Sequence, residues 1–161
     1  MTQQSPYQVP DAPVDDAAKP ADLRFRWVAV VVGGAADLGS TALTGMVLVM
    51  ALFIGSRYGS VQEMMEHLIR DWSFLMTSLL VGNACTVFGG YVAARLARHA
   101  FLEHALAAGL LSLAVGILIF PPDDSPYSGI MSLLGYGLHL PFAALGGWYA
   151  ARRASARGAE L

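Results

Sequence analysis

Two ionisable side chains, Asp37 and His139, stand deep inside long apolar stretches, and they are the residues of this sequence whose types could do chemistry. A carboxylate and an imidazole can share or exchange a proton near neutral pH. In lipid a lone carboxylate costs about 2.5–3.5 kcal/mol even on insertion scales, so both groups must face protein or water. On helical spacing Gly33, Asp37, Ser40, Thr41 and Thr44 fall on one face, as do Asn83, Thr86 and Gly90, and again Ser132, Gly135, Tyr136, His139, Ala143, Gly146 and Gly147. The candidate intramembrane polar site is therefore Asp37, Ser40, Thr41, Asn83, Thr86 and His139. Ser40, Thr41 or Asn83 is the expected cap of the carboxylate.

The elements that position these residues follow from composition. The chain has 161 residues, of which 55% are hydrophobic and 14% charged, against about 25% charged in ordinary soluble domains. Its solvent is the lipid bilayer. Transmembrane spans are predicted over about 27–54, 73–96, 101–120 and 128–151, within a four-helix transmembrane domain over 25–153. At about 1.5 Å per residue the first span is roughly 42 Å long, more than a bilayer's apolar thickness, so it must tilt or protrude.

Between the first two spans, Ser60 and Glu63 have capping-box spacing. Val61, Met64, Met65, Leu68, Ile69 and Trp72 then share a face opposite Gln62, Glu63, Glu66, His67, Arg70 and Asp71. A short amphipathic interfacial helix over 61–71 is predicted. Residues 1–24, with four prolines and an acidic bias, read as a disordered tail, and 154–161 as a short C-terminal tail. In the third span Ala108, Ser112 and Gly116 form a ridge of small residues for close packing, and Pro141 predicts a kink in the fourth. Glu103 and His104, beside Arg95, Arg98 and His99, read as a salt-bridged cluster at a helix start.

An internal repeat is visible. Phe88-Gly89-Gly90-Tyr91-Val92-Ala93-Ala94-Arg95 matches Leu145-Gly146-Gly147-Trp148-Tyr149-Ala150-Ala151-Arg152 at an offset of 57 residues. Gly89, Gly90, Gly146 and Gly147 are the predicted helix-packing residues, and two repeated helical hairpins related by an axis along the membrane normal are expected. Lys19, Arg24, Arg26, Arg95, Arg98, Arg152, Arg153 and Arg157 lie on one side of the predicted spans, Arg57 and Arg70 on the other. This asymmetry puts both termini in the cytoplasm.

With Gly34-Ala35-Ala36-Asp37-Leu38-Gly39-Ser40, Gly89-Gly90-Tyr91-Val92-Ala93-Ala94-Arg95-Leu96-Ala97 and Glu103-His104-Ala105-Leu106, residues 27–152 resemble the small, largely uncharacterised four-helix membrane proteins of bacteria. The resemblance implies a multi-pass protein of the bacterial cytoplasmic (inner) membrane and no particular activity. The net charge of −2 gives no footprint for nucleic acid, and the lone Cys85 permits no intramolecular disulfide. No cofactor is expected and no metal-ligand spacing occurs. The sequence shows no nucleophile–base pair, so an enzyme is not expected. The function expected is a structural or accessory subunit acting through helix packing, alone as a homo-oligomer or in a larger membrane complex. The alternative is a small proton- or cation-coupled transporter using Asp37. A tag placed after Leu161 is expected to be reachable by an impermeant reagent only from the cytoplasmic face, and labelling from the outer face would reverse the topology.

Overall fold

The computed structural model describes residues 25–119 and 127–158; the predicted tail over 1–24, Phe120, most of the loop after it and residues 159–161 lie outside them. The helices are α1 (Trp27–Ile54), α2 (Val61–Leu68), α3 (Trp72–Ala97), α4 (Phe101–Ile119) and α5 (Ser128–Gly158). α1, α3, α4 and α5 are long and apolar enough to cross a membrane, giving an all-α, four-helix membrane protein. Large apolar side chains such as Leu43, Leu80, Leu118 and Leu133 point outward, as expected when lipid is the solvent.

Local chemistry sets the helix ends. At the start of α2 the Ser60 hydroxyl accepts the Glu63 backbone N–H at 3.2 Å, while the Glu63 carboxylate accepts from Gly59, one residue earlier than a capping box requires. α2 ends at Leu68, short of the expected 71, because Asp71 has another task. Its carboxylate accepts the backbone N–H groups of Ser73 and Phe74 at 2.8 and 3.3 Å and caps α3. α5 continues past 151 to Gly158, so most of the predicted C-terminal tail is helical. Alanine and arginine dominate that extension and favour helix. Arg98 and Ala100, with φ of 66° and 44°, turn the chain between α3 and α4.

The bundle is packed at one end and splayed at the other. Among the described residues of the spans, buried positions run only from Ala29 to Asp37 in α1, from Asn83 to Ala97 in α3, from His104 to Ser112 in α4 and from Ala143 to Ala150 in α5. All belong to the half that holds the α1 N-terminus. Glycine and alanine make this closure. A Cβ on Gly33 would overlap Ala93, one on Gly90 would overlap the Ala143 carbonyl, and one on Gly146 would overlap the Val87 carbonyl. Backbones thus touch where lipid offers no hydrophobic drive and dispersion must supply cohesion.

His104 completes the closed end. It is fully buried, its Nε2 accepts the Arg26 backbone N–H at 3.0 Å, and its Nδ1 lies 2.9 Å from the Ala100 carbonyl. This pattern assigns a neutral ring protonated on Nδ1. Phe25 stacks on it at 4.4 Å. The salt-bridged cluster expected here therefore does not include His104, whose two nitrogens satisfy backbone groups instead.

The repeated Gly-Gly motifs do pack, but not as a two-fold about the membrane normal. Such an axis would place α1 against α5, whereas α1 packs on α3 and α4. Gly34 abuts Ala108 and Leu111, and Asp37 reaches Ser112, so α4 is drawn beside α1. At the α3–α5 crossing Gly90 meets Ala143 and Gly146 meets Val87. This contact equates Gly90 with Gly146, one residue out of step with the sequence repeat. Gly89 faces α1 and Gly147 faces α4. Gly146→Ala is expected to lower stability by about 1–3 kcal/mol through overpacking. Gly39→Ala, where a Cβ would meet nothing within 4 Å, is expected to be neutral or slightly stabilising. Thermal unfolding of both variants in detergent micelles measures the difference.

Candidate functional site

Asp37 lies at the last buried turn of α1, where the packed half gives way to the splayed half. Its side chain reaches three other helices. Thr86 on α3 donates its hydroxyl to Oδ1 at 3.2 Å, Ser112 on α4 donates to Oδ2 at 2.6 Å, and His139 Nε2 on α5 lies 3.3 Å from Oδ2. Close approach is possible because Gly89, with no side chain, faces the Asp37 Cβ. Asp37 is 4% exposed, so its charge depends on these donors. Hydrogen bonds to a charged group contribute about 1.5–3 kcal/mol each, enough for two hydroxyls to offset the cost of holding a carboxylate at this depth.

The two hydroxyls are shared. Ser112 Oγ also lies 2.9 Å from His139 Nε2 and 3.2 Å from the Gly109 carbonyl. Thr86 Oγ1 also lies 3.4 Å from His139 Nδ1 and 3.2 Å from the Gly82 carbonyl. Each hydroxyl has one proton and several acceptors within reach, so each can follow a change in the protonation of its neighbours.

The trio Ser112, His139 and Asp37 has the residue types of a nucleophilic triad, and a nucleophile–base contact absent from the sequence reading does form. Its connectivity is different. In a triad the carboxylate binds the imidazole nitrogen opposite the one that faces the nucleophile. Here Asp37 and Ser112 share Nε2, and Ser112 donates directly to the carboxylate. The arrangement suits holding and exchanging a proton.

Of the predicted site residues, Asp37, Thr86 and His139 converge. Ser40 donates to the Asp37 backbone carbonyl at 3.0 Å and Asn83 to the Leu79 carbonyl at 2.8 Å, so each satisfies its own helix and neither caps the carboxylate. Thr41 does not bond to it either. Thr41 and Asn83 instead line a cavity of about 480 Å³ that starts at Asp37, Thr86, Ser112 and His139 and runs into the splayed half past Gly82, Gly45 and Tyr136. Ser112 is the residue the sequence reading missed. Its depth from the start of α4 is close to that of Asp37 from the start of α1, and this hydroxyl at matching depth was the available signal.

Among the described residues no group of three or more His, Cys, Asp or Glu side chains converges as a metal site. Cys85 is buried, with its sulfur 3.9 Å from the Thr44 hydroxyl. No family model matches the chain, and no curated protein or solved structure shows significant similarity to it. Ser112→Ala is expected to cost about 1.5–3 kcal/mol, the loss of one hydrogen bond to a buried charge. In the Asp37→Asn background the same change is expected to cost clearly less. A double-mutant cycle followed by unfolding in micelles measures that coupling, and full additivity would remove the Ser112–Asp37 bond from the account.

Proposed function

We propose that this chain is a small proton-coupled transporter of the bacterial cytoplasmic membrane, with the Asp37–His139 pair as its proton site. The observation that supports this reading is the position of the pair: a buried carboxylate and an imidazole, 3.3 Å apart, line a cavity that extends into the open half of the bundle. Ionisable groups within a membrane mark solute or proton pathways by default. With the arginine-rich closed end in the cytoplasm, the cavity faces outward. One added proton changes the site from net −1 to neutral, and Thr86 and Ser112 can reorient to follow it. Transport then requires the glycine and alanine contacts of the closed end to part while the open end gathers, an exchange of packed halves around a fixed site.

A second reading, a structural or accessory subunit acting through helix packing, is favoured by a different observation. Asp37 has hydroxyl donors from two helices and an imidazole from a third, so it joins α1, α3, α4 and α5 without a ligand. That reading has no use for a cavity beside the carboxylate. The two readings separate in proteoliposomes adsorbed to a sensing electrode. A pH jump is expected to displace charge with the wild type and not with Asp37→Asn, both checked for monodisperse folding. Equal background signals from both proteins would end the transporter reading.

A further inference from the structure

We infer that the cavity beside Asp37 is a binding site for a monovalent organic cation with a compact apolar body, a quaternary ammonium being the simplest case. The inference rests on the transporter reading and names its substrate class.

The walls decide the chemistry. The cavity surface is mostly apolar, with Leu79, Leu113 and Met46 among its walls, and Gly45 and Gly82 leave room where side chains would fill it. Its volume lies within the range of about 300–1,000 Å³ that small-molecule sites occupy. A charged group stands at one end only. A hard metal ion would need six or more oxygen ligands, or octahedral geometry with retained water, and a single carboxylate with hydroxyl and amide groups scattered along a mostly apolar wall does not supply that shell. A sugar or zwitterion would leave many polar groups unmatched against the same walls. An anion would meet the Asp37 carboxylate. A cation with an apolar body matches both parts, its charge near Asp37 and its body against the leucines. The Tyr136 ring on the wall adds an aromatic surface suited to quaternary ammonium.

Proton and cation then compete for one negative charge. Of the helices packed around Asp37, α5 brings His139 and Tyr136 as titratable groups, α3 brings only Cys85, turned toward Thr44, and α4 brings none in this half. No lysine or arginine occurs in α1, in α3 before Arg95, in α4, or in α5 before Arg152. With His139 neutral the pair carries net −1 and attracts the cation. When the pair gains a proton it becomes neutral, and the attraction is lost.

The test is equilibrium dialysis of the purified full-length chain in micelles with radiolabelled benzyltrimethylammonium. Its uncharged isostere neopentylbenzene serves as competitor. Saturable binding is expected at alkaline pH, weakening by up to about tenfold per pH unit as the pair takes up its proton. Neopentylbenzene should compete poorly. Asp37→Asn should abolish binding, and Gly82→Leu, which fills the cavity without touching the carboxylate, should abolish it while the protein unfolds at an unchanged temperature. Binding unaffected by Gly82→Leu, or equal competition by the uncharged isostere, as an acyl-chain crevice would give, overturns the inference. No binding by a wild type that still displaces charge after a pH jump overturns the substrate class and leaves the transporter reading standing. Loss of both signals removes both.

Discussion

A carboxylate held away from water in a low-dielectric medium must be supplied with donors, and the arrangement of the four spanning helices answers that demand at Asp37. Thr86, Ser112 and His139 come from three different helices, and all three reach the carboxylate because α3, α4 and α5 converge at its depth. The hydrogen bonds therefore specify register as well as charge. A slip of one helical turn would move a donor about 5.4 Å and leave the carboxylate short of a partner, a cost of several kcal/mol in hydrocarbon.

Register alone does not close the bundle. On the closed side of Asp37 the helices present Gly33, Gly89, Gly90, Gly146 and Gly147 with Ala93, Ala94, Ala105, Ala108 and Ala150, and backbones come into contact. On the open side larger side chains turn outward to lipid, and Gly45, Gly82 and Gly116 have nothing within reach of a Cβ. Small residues on one side have been used for contact and on the other leave space. The same residue type therefore does opposite things above and below the carboxylate, and the cavity is the result.

That division explains what could be read in the sequence. Span positions follow from hydropathy, and the shared depth of Asp37 and His139 follows from counting residues, so both were legible. The glycine pairs were legible as packing residues, but not their partners. Two-fold symmetry assumed from the repeat would have left α4 away from α1, and it is the Asp37–Ser112 bond and the contact of Gly34 with Ala108 that bring them together. Ser40 and Asn83 looked like caps because they share faces with Asp37 and Thr86. A side chain that can bond to the carbonyl three or four residues earlier in its own helix does so without help from another element, and periodicity carries no record of that competition. Asp71 was misplaced for the same reason: the free N–H groups at the start of α3 outcompeted solvent for its carboxylate.

His104, buried against backbone groups, and the half-buried His139 beside the carboxylate show how environment separates one residue type into two roles. His104 has both nitrogens committed to backbone groups, so protonating it would remove the acceptor that holds the Arg26 N–H and open the N-terminus of α1. Its ring belongs to the closed end as a fixed part. His139 has hydroxyls on both nitrogens, and a hydroxyl can turn from donor to acceptor without moving its oxygen. A proton added there finds a hydroxyl oxygen already within reach of each nitrogen, and the carboxylate beside it gains a cation in place of a neutral ring. The site can therefore change charge while the packing that positions it stays in place.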